Sequence, residues 1–583
     1  MKKKKGFIVG FHIPGVYPPG RDDVQVDMLA PAFLKSVADA DPQISQEYDL
    51  EVVNESIKTN QEVLAQKIGE SRPDFVAYST YIWNYDETIE SSRRVRELSP
   101  NTKILFGGPQ VSDLRRETMQ EAFHLDVIIS GTGEERFKEV LKTGFDRKRL
   151  SHMPLVAYRE NGHPYDSPLI ESNTDGIVLT GGHVEENVSN IPSPYKNGVI
   201  NLDDGKKHTV FLETYRGCPY KCGYCIWGTP DGATSRFPLE QILGDIEVMF
   251  NHPNVEYVVF TDANPFYMPR KHWEPIFKKI ASSSKKTPLV TNLDMRVMKP
   301  EMVEALSKVE LAYNQYPFGM QTINPRALEL ADRGCKEDIR DLWTKGIKMI
   351  REMDPERKIC LEVIYGLPGD NHEGFLNTVD FALGLGVNKV YMFPLLVLPG
   401  TPFWEKRGQF EFETSGRPDH MVKSNMTYSV GDMQKTFEFA TWYQTVHRFP
   451  IIRNALVSSA NETNGKVRRV DLVQQYIAQM QRSTGIRPEE EFGYSLPSAN
   501  RILRTLMNQI IDPENGFRAY QIAANLVSPR NGKLKDLQLG LDYYSARKEK
   551  SVEDVDKSFV EKFGQDKLDQ IKCNWIVYQN SIG

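Results

Sequence analysis

The chain contains 583 residues with a net charge of −6, and 26% of its residues are charged. This length exceeds what one hydrophobic core supports, so several domains are expected. The weakly acidic balance gives no indication of nucleic acid or an anionic membrane as the main partner. No stretch is long and apolar enough to span a membrane, and the basic start precedes an apolar run too short for a signal peptide. The sequence therefore predicts a soluble, cytoplasmic protein.

Residues 1–145 alternate short apolar runs with helical patterns. Strands are predicted at 7–11, 50–53, 75–79, 103–106 and 127–130. Helices are predicted between them, at 26–38, 61–69, 86–98 and 115–122. This alternation favours a parallel, doubly wound α/β sheet of the flavodoxin or Rossmann type. Such sheets bind ligands at the carboxyl ends of their strands.

Polar residues and glycines lie where three of these strands end. They are Ser79, Tyr81, Trp83 and Asn84 at the third strand, Gly107, Gly108 and Gln110 at the fourth, and Gly131, Gly133 and Glu134 at the fifth. Glycines allow a backbone to approach a bulky ligand closely. The three blocks therefore predict a ligand site along one edge of the sheet.

Six further strand–helix units are predicted after a connector. Residues 146–205 are rich in Pro, Gly, Asn and Asp and predict an ordered connector or a pair of small hairpins. Within 206–414, strands are predicted at 208–213, 257–261, 289–292, 311–320, 359–365 and 389–393. Helices are predicted at 239–250, 271–281, 300–307, 325–331, 336–351 and 373–385. This series indicates a partial (β/α)6 barrel with polar residues at its mouth.

Three cysteines follow the first of these strands with C-x3-C-x2-C spacing, at Cys218, Cys222 and Cys225. Thiolates this close converge on one metal centre if they bind metal. Iron–sulfur clusters and structural zinc sites commonly use four protein ligands, so three cysteines leave one iron of a cubane cluster open. A zinc site completed by His208, or three unrelated cysteines, is the alternative. Six cysteines with this distribution do not indicate a disulfide framework.

The cysteine motif and the residues after it resemble the signature of radical S-adenosylmethionine (SAM) enzymes. In that family SAM chelates the open iron of a [4Fe–4S] cluster. The resemblance implies SAM contacts from Tyr224, Asp262, Asn292, Gln321, Arg333 and Glu362. One departure concerns Asp262, because the sequence there reads Thr261-Asp262 where many members have G-G-E.

The three strand-end blocks of residues 1–145 resemble the cobalamin-binding domain that precedes many radical SAM domains. The alternative is a generic flavodoxin-like domain with turn glycines. Here His12 lacks the aspartate of the D-x-H-x-x-G motif, in which that carboxylate orients a cobalt-binding imidazole. His12 stays a candidate cobalamin contact, but we expect no protein ligand on the lower face of cobalt. Trp83 is the candidate for covering that face, or else it is a core residue.

Residues 415–583 carry no further resemblance and predict a mainly helical domain. Amphipathic helices are expected at 433–447, 469–482, 498–511 and 552–568. Aromatic residues there could line a substrate pocket or fill a small core. The scattered Cys335, Cys360 and Cys573 are interpreted as buried thiols rather than catalytic groups.

Together the resemblances imply a cobalamin-dependent radical SAM enzyme of the class B methyltransferase type. Such an enzyme would transfer a methyl group from SAM through methylcobalamin to a carbon centre of a small biosynthetic intermediate. An external flavodoxin- or ferredoxin-like electron donor is also implied, with neither nucleic acid nor membrane as partner. Two alternatives stay open: ring contraction or cyclisation with the same cofactors, and a non-catalytic cobalamin-binding sensor or carrier. We expect the two strand-end surfaces to face each other, with a third wall supplied after about residue 415.

Overall fold

The computed structural model describes residues 2–14, 21–160, 167–184, 187–228, 232–334, 337–485, 502, 505–509, 512–527 and 533–572. In chain order, the strands of these residues are β1 Lys4–His12, β2 Val24–Val26, β3 Tyr48–Ser56, β4 Phe75–Ser79, β5 Lys103–Gly107, β6 Val127–Ile129, β7 Val156–Arg159, β8 Ile170–Thr174, β9 Ile177–Thr180, β10 Lys207–Leu212, β11 Tyr215–Arg216, β12 Ser235–Arg236, β13 Val255–Phe260, β14 Leu289–Val290, β15 Gln315–Gln321, β16 Lys358–Tyr365, β17 Lys389–Pro394, β18 Glu413–Thr414 and β19 Val422–Ser424.

The helices divide into those around the first sheet, those around the barrel and those of the C-terminal region. The first group is Leu29–Ala40, Pro42–Glu47, Gln61–Glu70, Tyr85–Leu98, Pro109–Ser112, Arg115–Glu121, Glu134–Thr143 and Arg147–Leu150. The second is Leu239–Asn251, Arg270–Ala281, Pro300–Ser307, Pro325–Leu330, Ile339–Met353, His372–Gly384 and Pro402–Glu405, with 3-10 turns at Pro265–Tyr267, Met295–Val297 and Ala312–Asn314. The third is Val430–His447, Pro450–Asn461, Arg469–Thr484, Pro513–Leu526, Leu534–Arg547, Val552–Phe563 and Gln565–Ile571.

The first sheet has the strand order β3-β1-β4-β5-β6-β7-β9-β8. Its first five strands are parallel, and separate apolar cores cover its two faces. The predicted doubly wound architecture is therefore confirmed. The sheet also continues into the predicted connector, where β7, β9 and β8 add antiparallel strands. Their apolar residues, among them Val156 and Val178, are buried in the same cores.

The second domain is a partial barrel. The parallel strands β10, β13 and β14 form one arc, and β15, β16 and β17 form the other. Isolated bridges, Leu289 to Leu311 and Leu293 to Phe318, join the arcs. The predicted (β/α)6 order is confirmed. One strand comes from the N-terminal region, since β2 pairs with the outer edge of β10.

The C-terminal helices share a core with the barrel. One apolar cluster runs from Val210 and Leu361 of the barrel strands to Trp442 and Tyr476 of the C-terminal helices. The mainly helical prediction is confirmed, but the described residues of this region form no core separate from that of the barrel. The helix predicted at 498–511 lies mostly outside the described residues. Among the described residues, no helix is long and apolar enough to cross a membrane.

Candidate functional site

The cysteine loop leaves the barrel directly after β10. β11 pairs with β12 and holds Arg216 at the start of the loop. Gly217 has a φ of +90°, and a Cβ there would lie 2.4 Å from the carbonyl oxygen of Ala233, so only glycine fits. Gly223 donates to the carbonyl of Ala331 at 2.8 Å and accepts from the amide of Phe403 at 2.8 Å. These bonds hold the cysteine loop against the end of helix Pro325–Leu330 and against helix Pro402–Glu405.

The three thiols of this loop are free, with Cys218 and Cys222 buried and Cys225 half-buried. Burial raises the pKa of the Cys218 thiol to about 11, so metal binding has to displace its proton. Among the described residues, no three His, Cys, Asp or Glu side chains could hold a metal ion as they stand. A cubane cluster differs from a single ion, because each cysteine binds its own iron and the thiolates stand farther apart. The assignment of a cluster to Cys218, Cys222 and Cys225 stays a prediction.

His208 does not complete a zinc site. Its Nδ1 lies 2.7 Å from an oxygen of Asp27, and its Nε2 lies 2.9 Å from an oxygen of Asp204. It occupies the start of β10, whereas the cysteines follow the end of that strand. Both ring nitrogens are therefore engaged at the other end of the barrel, and the zinc alternative is wrong.

Arg333 connects the cysteine loop to the barrel interior. Its Nη1 lies 3.5 Å from Sγ of Cys222, and its Nη2 donates to the carbonyl of Gly319 at 2.6 Å. A Cβ on Gly319 would lie 2.4 Å from the side chain of Gln321 and 3.4 Å from Arg333. Glu362 pairs with Gly319 between β15 and β16; burial raises the pKa of Glu362, and the charge of Arg333 opposes that rise. A guanidinium next to the cysteine loop could bind the carboxylate of a ligand.

Tyr224 lies beside this group. Its hydroxyl is buried and has no hydrogen-bond partner among the described residues, and its ring centroid is 6.4 Å from that of Phe403. An unsatisfied buried hydroxyl costs free energy unless a ligand or water meets it. The structure thus brings Tyr224, Gln321, Arg333 and Glu362 together next to the cysteines.

Asp262 has a different environment. Its oxygens accept from the amide of Thr214 at 2.8 Å, from the Thr214 hydroxyl at 2.5 Å and from the amide of Tyr215 at 3.4 Å. These contacts fasten the segment before the cysteine loop to the end of β13. Asn292 is exposed and reaches the carbonyl of Asp262 at 3.5 Å. The SAM contacts expected from both residues stay predictions.

An ion pair that the sequence did not predict lies under the cysteine loop. Arg296 and Asp294 are in contact at 2.5 Å, and their side chains are 8% and 6% exposed. Arg296 also stacks over the ring of Tyr220 at 4.1 Å, and Tyr267 donates to Asp294 at 2.6 Å. This group supports Tyr220, which lies between the first two cysteines.

The first strand-end block of the N-terminal domain forms a closed turn. The Asn84 side chain accepts from the amide of Tyr81 at 2.7 Å and donates to the carbonyl of Ser79 at 3.0 Å. Thr80 donates from its amide to the carbonyl of Gly107 at 2.7 Å. Gly108 has a φ of +108°, and a Cβ there would lie 2.4 Å from the Thr80 carbonyl oxygen. The blocks at Ser79–Asn84 and Gly107–Gly108 therefore pack directly against each other.

Aromatic surface is exposed at this edge. The rings of Tyr81 and Trp83 stack with centroids 4.4 Å apart, and Trp83 is 41% exposed, so it is not a core residue. His12, at the end of β1, is buried, and its Nδ1 has no partner among the described residues. Burial lowers its pKa to about 4, so the ring is neutral at pH 7. A flat apolar surface beside a neutral imidazole fits a corrin, while the individual contacts stay predictions.

Glu134 joins the two domains. It starts the helix after Gly131 and Gly133, and its two oxygens meet Nη2 and Nη1 of Arg216 at 3.0 and 3.2 Å. Glu213 contacts the same guanidinium at 2.8 Å. Burial opposes the charge of Glu134, but Arg216 holds its pKa below the ordinary value. The third block of the N-terminal domain thus lies against the start of the cysteine loop.

A segment after β18 also contacts the N-terminal domain. Gln110 donates to the carbonyl of Pro418 at 2.9 Å. Arg417 donates to the hydroxyls of Tyr85 at 2.5 Å and Thr118 at 3.0 Å and pairs with Glu121 at 2.8 Å. The sequence did not predict the contacts that Arg216 and Arg417 make with the N-terminal domain. A single arginine does not indicate a partner that lies far away in the chain.

Two family models match the chain. The B12 binding domain matches residues 37–141, and the Radical SAM superfamily matches residues 212–382. The cobalamin-dependent radical SAM methyltransferase TokK of Streptomyces tokunonensis is 29% identical over 263 residues, 44% of this chain and 36% of the relative. The 2-(S-pantetheinyl)-carbapenam-3-carboxylate methyltransferase of Streptantibioticus cattleyicolor is 26% identical over 410 residues, 66% of this chain and 56% of the relative. The chain thus spans about a third to just over half of these relatives.

Solved structures share the fold. The cobalamin-dependent SAM radical enzyme OxsB, with aqua-cobalamin and SAM bound, aligns with a TM-score of 0.58 at 12% identity over 94% of this chain and 84% of that one. The radical SAM methyltransferase TsrM from Kitasatospora setae, with cobalamin and a [4Fe–4S] cluster bound, aligns with a TM-score of 0.53 at 14% identity over 70% and 75%. The cofactors that fit the two matched domains are a [4Fe–4S] cluster, SAM and cobalamin. The chain thus carries a match to the B12 binding domain followed by a match to the Radical SAM superfamily, and it is similar to cobalamin-dependent radical SAM enzymes.

Proposed function

We propose that this protein is a methyltransferase that moves a methyl group from SAM, by way of cobalamin, to a carbon centre of a small biosynthetic intermediate. The contact between Glu134 and Arg216 carries the proposal. It brings the strand-end edge of the first sheet against the cysteine loop, with polar atoms 3.0 Å apart. Transfer between two cofactors needs near-contact distances, which this arrangement favours.

The residues of this chain have separate roles in the proposal. Cys218, Cys222 and Cys225 would hold the cluster, and Arg333 would receive the carboxylate of SAM. The rings of Tyr81 and Trp83 would cover one face of the corrin. When bound, the cluster supplies one-electron chemistry on SAM, and cobalamin supplies nucleophilic methyl transfer. An external flavodoxin- or ferredoxin-like protein would supply the electrons.

Anaerobic reconstitution followed by product analysis tests the proposal. We expect about four irons per chain, as for one cubane cluster. With reductant, SAM and cobalamin, the protein should form 5′-deoxyadenosine and S-adenosylhomocysteine. The Cys218→Ala/Cys222→Ala/Cys225→Ala variant should retain no cluster and form no 5′-deoxyadenosine, whereas a Cys360→Ala control should retain both. Stoichiometric zinc, or a full cluster in the triple variant, would contradict the assignment.

SAM carrying a trideuterated methyl group separates the alternatives. A product heavier by one trideuteromethyl group, formed from a candidate substrate, supports methyl transfer. A product without the label indicates ring contraction or cyclisation instead. If neither 5′-deoxyadenosine nor S-adenosylhomocysteine forms with any candidate substrate, a cobalamin-binding sensor or carrier replaces the proposal.

A further inference from the structure

The face of β16 and β17 that carries Glu362 continues away from the SAM residues into a basic region. Cys360 pairs with Lys389, and Glu362 pairs with Tyr391, so these four side chains lie on one face of the sheet. The alternate residues, such as Leu361, are fully buried on the opposite face, where helix His372–Gly384 packs. The face with Cys360 and Lys389 is therefore the interior of the barrel.

The C-terminal helices cover this interior face. The ring of His447, at the end of helix Val430–His447, lies 5.0 Å from the ring of Tyr391. Arg448 follows it, and Arg453 lies on the next helix. His447, Arg448 and Arg453 are 7%, 4% and 7% exposed. We name Lys389, His447, Arg448 and Arg453 the basic cluster.

Members of the basic cluster lie on elements that pack against one another, because helix Val430–His447 contacts both β17 and helix Pro450–Asn461. Burial, and then the charges of Arg448, Lys389 and Arg453, hold the pKa of His447 well below its ordinary value. Burial also lowers the pKa of Lys389; Cys360 opposes this, and Lys358, Arg448 and Arg453 lower it further. Buried and half-buried positive charges on elements that pack against one another repel, so this arrangement is costly without an anion.

Two members of the basic cluster lack a carboxylate partner. Lys389 donates to the side-chain oxygen of Gln315 at 3.2 Å, and Arg453 donates to the side-chain oxygen of the adjacent Asn454 at 3.3 and 3.2 Å. Neither forms an ion pair with a carboxylate within the part of the chain that the structure describes. Buried charges in proteins are normally paired. His447 adds a buried Nδ1 with no partner among the described residues.

We propose that the basic cluster binds an oxyanion, a carboxylate or phosphate, of the substrate. The inference rests on the proposed function and names the substrate class. Cys360 and Glu362 are two strand residues apart, which corresponds to roughly 7 Å at about 3.3 Å per residue. An anionic group held at Lys389 and Arg453 thus leaves the rest of an elongated substrate to extend along Tyr391 towards Glu362 and the SAM residues. The basic cluster would hold the anionic end of the substrate. The site would therefore select substrates by their length as well as by their charge.

Anion binding to the cofactor-loaded protein tests this inference without turnover. Inorganic phosphate and acetate serve as probes in isothermal titration and in thermal unfolding, with chloride at matched ionic strength as reference. We expect the wild-type melting temperature to rise with at least one oxyanion relative to chloride. Lys389→Met and Arg453→Met should each weaken that binding at least about tenfold, since a charge-assisted hydrogen bond contributes this much or more. A stronger response to phosphate than to acetate identifies a phosphorylated substrate, and the reverse identifies a carboxylate.

The behaviour without anion separates a binding role from a structural one. Without oxyanion, both variants should melt at or above the wild-type temperature, because each removes a cation that has no carboxylate partner among the described residues, buried at Arg453 and half-buried at Lys389. Lys348→Met is the matched control, since it removes a lysine that is 76% exposed on a barrel helix. It should retain the oxyanion response. Variants that melt lower than wild type and respond to oxyanions unchanged would show that these cations are structural and overturn the inference.

Failure of this inference is distinguishable from failure of the proposed function. Oxyanion binding is measured without SAM cleavage, whereas the proposed function is judged by 5′-deoxyadenosine formation and label transfer. If SAM is cleaved normally but no oxyanion binds, only the substrate class is wrong. If oxyanions bind but SAM is never cleaved, oxyanion binding by the basic cluster is supported and the proposed function is wrong.

Discussion

Replacing Glu134 by Gln should loosen the start of the cysteine loop. Glu134 is 8% exposed and Arg216 is 21% exposed at the side chain, and two hydrogen bonds of 3.0 and 3.2 Å join them. Removing one partner of a fully buried pair costs about 3–5 kcal/mol. Arg216 keeps Glu213 at 2.8 Å, so we expect a smaller loss. About 2–3 kcal/mol corresponds to a roughly 30- to 150-fold change in a local opening equilibrium, at about 1.4 kcal/mol per tenfold.

Hydrogen–deuterium exchange measures that opening. Backbone amides of residues 213–217 should exchange about 30- to 150-fold faster in Glu134→Gln than in wild type. Glu90→Gln is the control, because Glu90 also contacts an arginine through both oxygens, at 2.8 Å, but is 42% exposed. Exposed pairs contribute about 0.2–1 kcal/mol, so exchange near residue 90 should change less than about fivefold. Unchanged exchange at 213–217, or a change equal to that of the control, would refute the coupling between the domains.

Three further outcomes are expected at the other parts of the molecule. Gly108→Ala should reduce bound cobalamin per chain, because its φ is +108° and the new Cβ would lie 2.4 Å from the Thr80 carbonyl oxygen. His12→Ala should leave the absorption and EPR spectra of bound cobalamin unchanged, whereas loss of an imidazole nitrogen hyperfine pattern would make His12 a ligand. Burial opposes the charged form of His208, but its bonds to Asp27 and Asp204 raise its pKa. A raised folded-state pKa gives stability that is complete below about pH 6.5 and is lost as the pH rises through the raised value. The melting-temperature difference between wild type and His208→Gln should therefore shrink from pH 6 to pH 9, and a constant difference would contradict this.

Much of the architecture is determined locally. Apolar runs of strand length separated by amphipathic segments predict where β4, β5 and β16 lie, because a buried strand needs such a run whatever its neighbours are. The spacing of Cys218, Cys222 and Cys225 likewise predicts a shared centre, since the loop between them is too short to separate them. The glycines at 107 and 108 mark a close approach of two chain segments for the same local reason.

Contacts between distant parts of the chain were decided only by the tertiary structure. Nothing near Arg216 in the sequence indicates Glu134, and nothing near Tyr391 indicates His447, because each partner lies on a separate element. The strands β7, β9 and β8 joined the first sheet, and β2 joined the barrel, since the pairing of an edge strand depends on which edge is free nearby. A short stretch such as Val24–Val26 is compatible with either sheet on pattern alone. The local sequence thus predicts the strands, the helices and the residues that can form a site. The packing of the three regions decides which of these residues contact each other.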